Sequence, residues 1–401
     1  MKILHICSAH LPDFDAGRGG PVYYRQTAEA LAKLGHEVHV RVLNGKVSKR
    51  RTCASDPWMS FEVLQPYTER SRGDRWGAML DGPRRADIIA PGYLQYGPHL
   101  IQLVEQEDFD VVVCDWIGSL VAVPRNLAVP ILYIQHDFAH EIERVKRNHQ
   151  RRKLDPRSLL SLSRLQDIEL GQIQRAKSVI CASNSEAARV EELTGIPTFY
   201  VPIYGGPIPA PKAPVSTSPR VFVFGFHNTA MSSSLTNVKE LFNALKRWGQ
   251  PSLHHVGTLN DKGLAAWKDV QDEHKITFHG YVADLTTVFR PGDIMIAPYS
   301  EGTGFRTKFV TASAHGLICA GLDRSFDCAP EFQDGETCVT APDLPRLAER
   351  IFDLLRDRDE RQRLSTRARA LYEQEFNIER HLPSYRAALD RTVVDTAALA
   401  S

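Results

Sequence analysis

The chain has 401 residues, of which 43% are hydrophobic and 24% are charged, and its formal net charge is +1. This balance is typical of a globular protein with room for two ordinary domains, and it excludes a largely disordered chain. The near-neutral charge gives no global indication of nucleic-acid binding.

The cysteines and the apolar stretches predict a cytoplasmic protein. Seven cysteines are scattered without a CxxC pair, which favours reduced, buried thiols over disulfides or a metal cluster. The opening "MKILHICSAH" is too weakly apolar for a signal peptide. The longest apolar stretch, "VVVCDWIGSLVAVP", is broken by Asp115 and is shorter than the roughly 18 residues that span a bilayer.

The first half of the chain alternates strand-like and helix-like segments. "KILHICSA", "VYYRQTAEALAKLG" and "HEVHVRVL" predict a βαβ opening with the glycine-rich "GRGGP" after its first strand. Residues 44–97 have no clean period, and we interpret them as an elaborated connection. Two strands, "FDVVVCDW" and "VPILYIQHD", then precede a long polar helix, the strand "KSVICASN" and the helix "SEAARVEELTG".

The second half repeats this alternation after a linker rich in proline and glycine. It runs from "VFVFGFHN" through a helix, several short apolar strands and helices from Leu344 onward. Short apolar strands alternating with helices predict parallel sheets covered on both faces. The predicted fold class is therefore α/β, with two Rossmann-like lobes at 1–203 and 220–375, a linker at 204–219 and a final segment at 376–401.

The strongest local signal is "EGTGFRTK", Glu301 to Lys308, at the end of the strand-like "IMIAP". Gly302 and Gly304 allow the backbone to turn and approach a ligand closely. A helix predicted from Thr307 points free N–H groups at this spot, and Arg306 and Lys308 add full positive charge. The loop predicts a phosphate site, with a solvated surface turn as the alternative.

A second glycine-rich segment, Gly17 to Tyr24, follows the first strand. It lacks the last glycine of GxGxxG, and no acidic residue ends the second strand, which disfavours dinucleotide binding. Close approach of Gly19 and Gly20 to a sugar or phosphate held by the facing lobe remains, against a plain tight turn.

A third signal is His136, which with Asp137 ends the strand in "YIQHDF". A histidine at this edge can bind a hydroxyl or move a proton near neutral pH. The alternative is a histidine satisfied by local backbone. We expect His140 and Glu141 to be solvated.

Several of these segments resemble the retaining glycosyltransferases of the GT-B fold, family 4-like (glycosyl transferases group 1). They are residues 1–38, "YIQHDF", "AKSVICASNSEAARVEELTG" and above all residues 276–323. The resemblance covers nearly the whole chain and implies sugar transfer from a nucleotide-diphosphate donor to a saccharide, lipid-linked or small-molecule acceptor, with no separate cofactor. The ending "FNIERHLPSYRAAL" is similar to the family's last helix, which crosses back to the first lobe.

The resemblance implies a role for each matching residue. Gly302, Gly304 and Lys308 match the residues that bind the donor diphosphate, with Arg306 as a second cation and Thr303 and Phe305 within the same loop. Glu301 matches the carboxylate that touches the donor sugar. Tyr281 and Val282 match the segment beside the nucleotide base, His136 the acceptor-side histidine, and Gly19 and Gly20 the glycine loop near the donor.

Two departures from the family pattern bear on the donor. Thr311 stands where relatives have the glutamate that holds the ribose, and one hydroxyl replaces a carboxylate that accepts two hydrogen bonds. The usual arginine and lysine are missing from "GFHNTAMSSSLTN", where Asn228 could donate instead. Thr311 motivates one alternative, a non-catalytic sugar-nucleotide-binding subunit, and a nucleotide-sugar epimerase on the same fold is the other.

Local sequence patterns bear on metal binding and on membrane contact. Asp13–Asp15 and Asp108–Asp110 look like a metal-binding DxD, but the first lies in a loop and the second precedes its strand, so we expect no essential metal. The basic run Arg144 to Arg157, with Lys46 to Arg51, is interpreted as a solvated face. The alternative is peripheral contact with anionic lipid at the inner face of the membrane, where each cation would contribute about 1 kcal/mol of binding free energy.

Overall fold

The computed structural model describes residues 1–8, 19–43, 59–64, 86–90, 92–149, 159–204, 206–211, 213–225, 232–249, 251–259, 261–301 and 303–397. These residues form two lobes, each built on a parallel sheet. Asn228 and Gly302, two of the predicted binding residues, lie outside them.

The first lobe has a seven-stranded sheet. Its strands are β1 (Lys2–Ser8), β2 (Glu37–Leu43), β3 (Met59–Leu64), β4 (Val111–Asp115), β5 (Ile131–Gln135), β6 (Ser178–Cys181) and β7 (Thr198–Tyr200). They run in the order β3-β2-β1-β4-β5-β6-β7. Every residue of β4 and β5 is buried, as expected for strands covered on both faces. Strand order reverses between β1 and β4, where such sheets open a ligand crevice at their carboxyl ends.

The helices described around this sheet are α1 (Gly19–Lys33), α2 (Ala86–Ile89), α3 (Gly97–Gln106), α4 (Ile117–Ala122), α5 (Ala139–His149), α6 (Leu162–Ile173) and α7 (Asn184–Thr194). Helix α7 has a capping residue at each end that explains where it begins and where it ends. The Ser183 hydroxyl accepts a hydrogen bond from the Glu186 N–H at one end, and Gly195 takes a φ of 70° at the other.

The second lobe has a six-stranded sheet in the order β10-β9-β8-β11-β12-β13. The strands are β8 (Arg220–Phe224), β9 (Ser252–Val256), β10 (Thr277–Phe278), β11 (Ile294–Ala297), β12 (Ile318–Leu322) and β13 (Cys338–Ala341). The helices described around it are α8 (Ser232–Lys246), α9 (Asp261–His274), α10 (Thr307–Ala314), α11 (Leu344–Arg356) and α12 (Arg358–Glu375). Strand order reverses between β8 and β11, so the loop after β11 lies at the crevice of this lobe.

The last helix, α13 (Ile378–Ala397), packs on the first lobe. The Ser178 hydroxyl in β6 donates to the Ala388 carbonyl at 2.8 Å, and the buried Tyr385 hydroxyl lies 3.4 Å from that of Thr27. Ile378 packs against the cores of both lobes, and so does Phe305 from the glycine loop. The chain therefore ties the two lobes together at this crossing and at the loop.

The predicted fold class, α/β with two Rossmann-like lobes, is confirmed by these two sheets. Two elements are not evident from the sequence. Strand β3 lies inside the segment without a clear hydrophobic period, at the edge of its sheet, where residues 60–64 are half-exposed or exposed. Helix α9 is polar along most of its length and buries few large side chains, among them Trp267 and Val270.

The basic run is only partly described. Arg144 and Arg147 lie on α5, where they pair with Glu141 at 2.6 Å and with Glu143 at 3.1 Å. Residues 150–158 and Lys46 to Arg51 lie outside the described residues, so lipid contact stays a prediction. Among the helices that are described, none is both long and apolar enough to cross a bilayer.

The predicted state of the cysteines agrees with the six that are described. Cys7, Cys114, Cys181, Cys319, Cys328 and Cys338 are buried and free of disulfide bonds. Cys53 lies outside the described residues.

Candidate functional site

The first-lobe side of the candidate site is built on His136, directly after β5. Its Nε2 is hydrogen-bonded to Oδ1 of Asp115, the last residue of the neighbouring strand β4. The other carboxylate oxygen of Asp115 lies 3.0 Å from Nε2 of His5 in β1. All three side chains are buried, and because an ionised carboxylate can only accept, both histidines donate to it. His136 is therefore bound by a carboxylate and not by local backbone.

Two tyrosines of α1 hold the plane of the His136 ring. The ring centroids of Tyr23 and Tyr24 lie 4.9 and 5.5 Å from that of His136, in edge-on arrangements. Their hydroxyls are anchored in turn, Tyr23 to the Val201 carbonyl at 2.8 Å and Tyr24 to the Ser8 carbonyl at 2.5 Å. The histidine therefore has one fixed orientation.

Asp115 is ionised in this setting. Burial alone would raise the pKa of its carboxyl, but the hydrogen bonds and charges of His136 and His5 outweigh burial and hold the pKa below the usual range of an aspartate. The Sγ of Cys7, Nε2 of His5 and a carboxylate oxygen of Asp115 lie within 4.8 Å of one another, a spacing that can also hold a metal ion. Since both carboxylate oxygens already accept from histidines, we interpret the cluster as a hydrogen-bond network that orients His136.

We expect Asp115→Asn to lower the free energy of unfolding by about 3 kcal/mol at pH 7, because it removes the charged partner of two buried histidines. Ionised Asp115 stabilises the fold above its unfolded pKa, about 3.9, and this contribution is lost as the pH falls through the lower native value. The difference in unfolding free energy between wild type and variant, measured by urea denaturation, should therefore become smaller from pH 7 to pH 3. An unchanged gap would contradict this account; the exposed Asp108→Asn is the control.

The second-lobe side of the site is the loop that joins β11 to α10. Arg306 stands at the N-terminal boundary of α10 without a side-chain cap, and its guanidinium lies over the Tyr299 ring at 4.9 Å. One of its terminal nitrogens donates to the Thr303 carbonyl at 3.1 Å, and its buried Nε has no hydrogen-bond partner among the described residues. Lys308 Nζ donates to the Phe224 carbonyl, at the end of β8, at 2.6 Å. Both cations thus lie where β8 and β11 end.

The loop contacts the first lobe directly through Gly304. This glycine has a φ of 75°, and a Cβ on it would stand 2.0 Å from Oδ1 of Asp137 and 2.9 Å from the His136 carbonyl oxygen. The Thr303 hydroxyl accepts from the Phe138 N–H at 3.3 Å. The structure therefore brings His136 and the cationic loop to one place, in keeping with their predicted positions at strand ends.

A carboxylate that the sequence analysis did not single out lies between the lobes. Oε1 of Glu186, from the first turn of α7, accepts hydrogen bonds from the Gly304 N–H at 3.0 Å and from the Thr303 hydroxyl. Burial, followed by the nearby charge of Asp137, raises the pKa of Glu186 to about 8. Burial also raises the pKa of Asp137, although His136 and Arg306 oppose the shift.

The remaining predicted residues are more widely spread. Gly19 and Gly20 form the start of α1 and are not in a separate loop. Tyr281 and Val282 follow β10, the strand at one edge of the second sheet, and Tyr281 is 66% exposed. Glu301 is half-buried at the start of the loop. The Thr311 hydroxyl donates to the Thr307 carbonyl within α10, at 3.2 Å.

Asp115 and Glu186 belong to the site but were not predicted, and the sequence indicates the first more clearly than the second. Asp115 ends a buried strand next to the strand that ends in His136, and the carboxyl ends of parallel strands meet at one edge, so its position could have been noticed. Glu186 stands three residues after Ser183, which is the pattern of a helix capping box and gives no hint of a contact with the other lobe.

Two Rossmann-like lobes that face each other across the carboxyl ends of their strands define the GT-B class of glycosyltransferases. Residues 17–206 match the family model described as Glycosyltransferase Family 4, and residues 219–357 match the model described as Glycosyl transferases group 1. The chain therefore carries the domain pair of these glycosyltransferases. No curated protein sequence matches it significantly.

Solved structures share the whole fold at low sequence identity. Sucrose-phosphate synthase from Thermosynechococcus elongatus is 16% identical over 98% of this chain and 99% of its own, with a TM-score of 0.69. A glycosyltransferase from Rickettsia africae is 13% identical over 97% and 98%, with a TM-score of 0.62. HepE from Anabaena, solved with UDP and glucose, is 13% identical over 97% and 99%, with a TM-score of 0.61.

Proposed function

We propose that the protein is a metal-independent, retaining glycosyltransferase that moves a sugar from a nucleotide-diphosphate donor to a saccharide, lipid-linked or small-molecule acceptor. The observation that carries the proposal is the docking of Thr303 on Phe138 and of Gly304 on His136 and Asp137, because it joins a cationic loop and an oriented histidine in one interlobe site. The complex of HepE with UDP supports a uridine nucleotide as the first donor to test.

The leaving group decides the role of the second lobe. Breaking the bond between the anomeric carbon and the diphosphate oxygen develops negative charge on the diphosphate. Arg306, Lys308 and the N–H groups in the first turn of α10 stabilise that charge, most strongly when the closed lobes exclude water. Two protein cations at the helix start offset the charge that a divalent metal offsets in other transferases, which is why we propose metal independence.

His136 takes the acceptor-side role. Its Nε2–H is held by Asp115, so in the tautomer with the proton on Nε2 it is Nδ1 that can accept a hydrogen bond from a sugar hydroxyl. We propose that the acceptor oxygen attacks the anomeric carbon on the face that the diphosphate leaves. The acceptor proton passes to the departing phosphate oxygen. Because attack and departure take place on the same face, the configuration at the anomeric carbon is retained.

Screening purified protein against a panel of UDP-, GDP- and ADP-sugars with simple saccharide acceptors tests the proposal. We expect release of the nucleoside diphosphate and a new glycoside with the same anomeric configuration as the donor, read by NMR. An inverted product overturns retention, and full activity after EDTA treatment is the expected result for metal independence. Conversion of the nucleotide sugar without an acceptor would favour the epimerase.

The alternative of a non-catalytic subunit has one observation in its favour. Because the Thr311 hydroxyl is already bonded to the Thr307 carbonyl, it is a poor substitute for a ribose-binding carboxylate. Calorimetric binding of a nucleotide sugar without release of nucleoside diphosphate in any acceptor screen would support that alternative.

A further inference from the structure

Glu186 departs from the role that its sequence position indicates. In a capping box the glutamate side chain turns back to the N–H at the start of its own helix. Here Ser183 keeps its half of the cap, while Oε1 of Glu186 accepts from the Gly304 N–H and the Thr303 hydroxyl of the other lobe. The side chain is 7% exposed, so this contact is an interior one.

The same contact reaches the segment that carries His136. The Thr303 hydroxyl, which donates to Glu186, also accepts from the Phe138 N–H at 3.3 Å. Gly304, whose N–H donates to Glu186, packs its α-carbon against Asp137 and the His136 carbonyl. One carboxyl group thus holds two consecutive loop residues at the end of β5.

We infer that Glu186 is a positioning residue of the transfer reaction, which holds Thr303 and Gly304 against the His136–Asp137 segment and so keeps the donor loop in the closed interlobe site. The reaction itself rests on the proposed function, whereas the contact does not. Glu186 acts through the loop, and the removal of its carboxyl group should release the loop while leaving both sheets intact.

The proton on Glu186 follows from the groups that surround it. Its described charged and titratable neighbours are Asp137, Glu169 and Cys181 in the first lobe and Cys328 in the second, and the charge of Arg306 acts on Asp137 and Cys328. Two carboxylates in a buried place favour a proton on one of them, and within the described part of the chain the buried Oε2 of Glu186 has no hydrogen-bond partner. The neutral acid still accepts both loop hydrogen bonds through Oε1.

The sign of the pH dependence follows from the raised pKa. In this contact, burial and then the nearby charge of Asp137 raise the pKa of Glu186 from the ordinary value of a glutamate, near 4.3, to about 8, so the contact favours the protonated acid between these values. The closed contact is therefore most favourable in the lower part of this window and weakens as the pH rises toward 8. Glutamine keeps the accepting oxygen and cannot ionise, so Glu186→Gln should remove the contribution of this residue to the pH dependence of the contact.

Hydrogen exchange of the amides of residues 303–306, measured by mass spectrometry on the protein alone, tests the inference without any assay of activity. We expect Glu186→Ala to raise the exchange of this segment about tenfold relative to wild type, since two hydrogen bonds are lost. Glu186→Gln should stay close to wild type. The exposed Glu192→Ala, on the same helix, should not change it. Wild-type protection in Glu186→Ala overturns the inference.

The pH series separates positioning from a general loss of packing. After correction for the intrinsic exchange rate, wild-type protection of residues 303–306 should fall between pH 6 and pH 9, and that of Glu186→Gln should fall less. An equal loss of protection in the two proteins would contradict the assignment of a proton to Glu186. Thr303→Val removes the hydroxyl that bonds Glu186 and Phe138 but keeps the Gly304 N–H bonded to Glu186, so it should raise the exchange of the Gly304 amide less than Glu186→Ala does.

Kinetics with UDP-glucose, or with whichever nucleotide sugar the wild type turns over, extend the test to the reaction. We expect Glu186→Ala to lower kcat/KM for the donor by about tenfold, with most of the loss restored in Glu186→Gln. If the wild type turns over no nucleotide sugar, the proposed function fails, and the exchange measurement still decides whether Glu186 holds the loop.

Discussion

Lys308→Ala is expected to lower the transfer rate by about 100- to 1,000-fold, because removing one preorganised group that stabilises a developing negative charge has an effect of this size. Lys308 Nζ lies between the ends of two central strands, 2.6 Å from the Phe224 carbonyl and 3.3 Å from the Tyr299 hydroxyl. Its position at the first turn of α10 directs the ammonium group to the place proposed for the diphosphate. The measurement is release of nucleoside diphosphate by the wild type and the variant with the same donor and acceptor.

Two controls separate charge from packing in that experiment. Lys308→Met keeps most of the side-chain volume without the ammonium group and should lose as much activity as Lys308→Ala. Lys268→Ala removes an exposed lysine from α9 of the same lobe and should leave the rate unchanged. Unfolding free energies should fall by only about 1 kcal/mol in Lys308→Ala, from the lost hydrogen bond to the Phe224 carbonyl. Near-wild-type transfer by either Lys308 variant would reject the proposed role.

Gly304→Ala is expected to reduce transfer by about 100-fold, the loss that follows when reacting groups are displaced by about 1 Å. The new methyl group would stand 2.0 Å from Oδ1 of Asp137 and 2.9 Å from the His136 carbonyl oxygen, both far inside contact distance. The loop must therefore move away from His136, and the two halves of the site separate. Steady-state kinetics should show the loss mainly in kcat, and small-angle scattering should show a more open average shape.

The backbone of Gly304 requires a second, matched substitution. Its φ of 75° would strain any other residue, whatever the space around it. Gly335 has a φ of 71° and nothing within 4 Å of the position of a Cβ, so Gly335→Ala carries the same strain without the clash. It should cost about 1 kcal/mol of stability and leave transfer unchanged. Equal losses of activity in the two variants would show that strain, and not interlobe contact, is responsible.

The sequence was most informative where local chemistry and chain order agree. Gly304, Arg306 and Lys308 combine a glycine turn, two cations and the start of a helix, and each of these features can be read from neighbouring residues. His136 could be placed at the end of a strand for the same reason. Tyr281 and Thr311 entered through the resemblance alone, and their roles in binding a donor stay predictions.

The partners of these residues come from distant parts of the chain. Asp115 lies 21 residues before His136, and Glu186 lies 118 residues before Gly304. A carboxylate at a strand end and a glutamate in a capping pattern are common features. Each can be explained by its neighbours in the sequence alone. What they contact depends on how the strands are ordered and on how the lobes face each other.

By itself the sequence determined the alternation of short apolar strands with helices, and hence two doubly wound lobes with their loops at the carboxyl ends, because periodicity, glycine turns and apolar runs act over a few residues. Only the tertiary structure decided that His136 is held by Asp115 and that Glu186 and Asp137 receive the glycine loop of the other lobe. Those contacts are made between buried groups far apart in the chain, where burial and neighbouring charge, not residue type, set the protonation state.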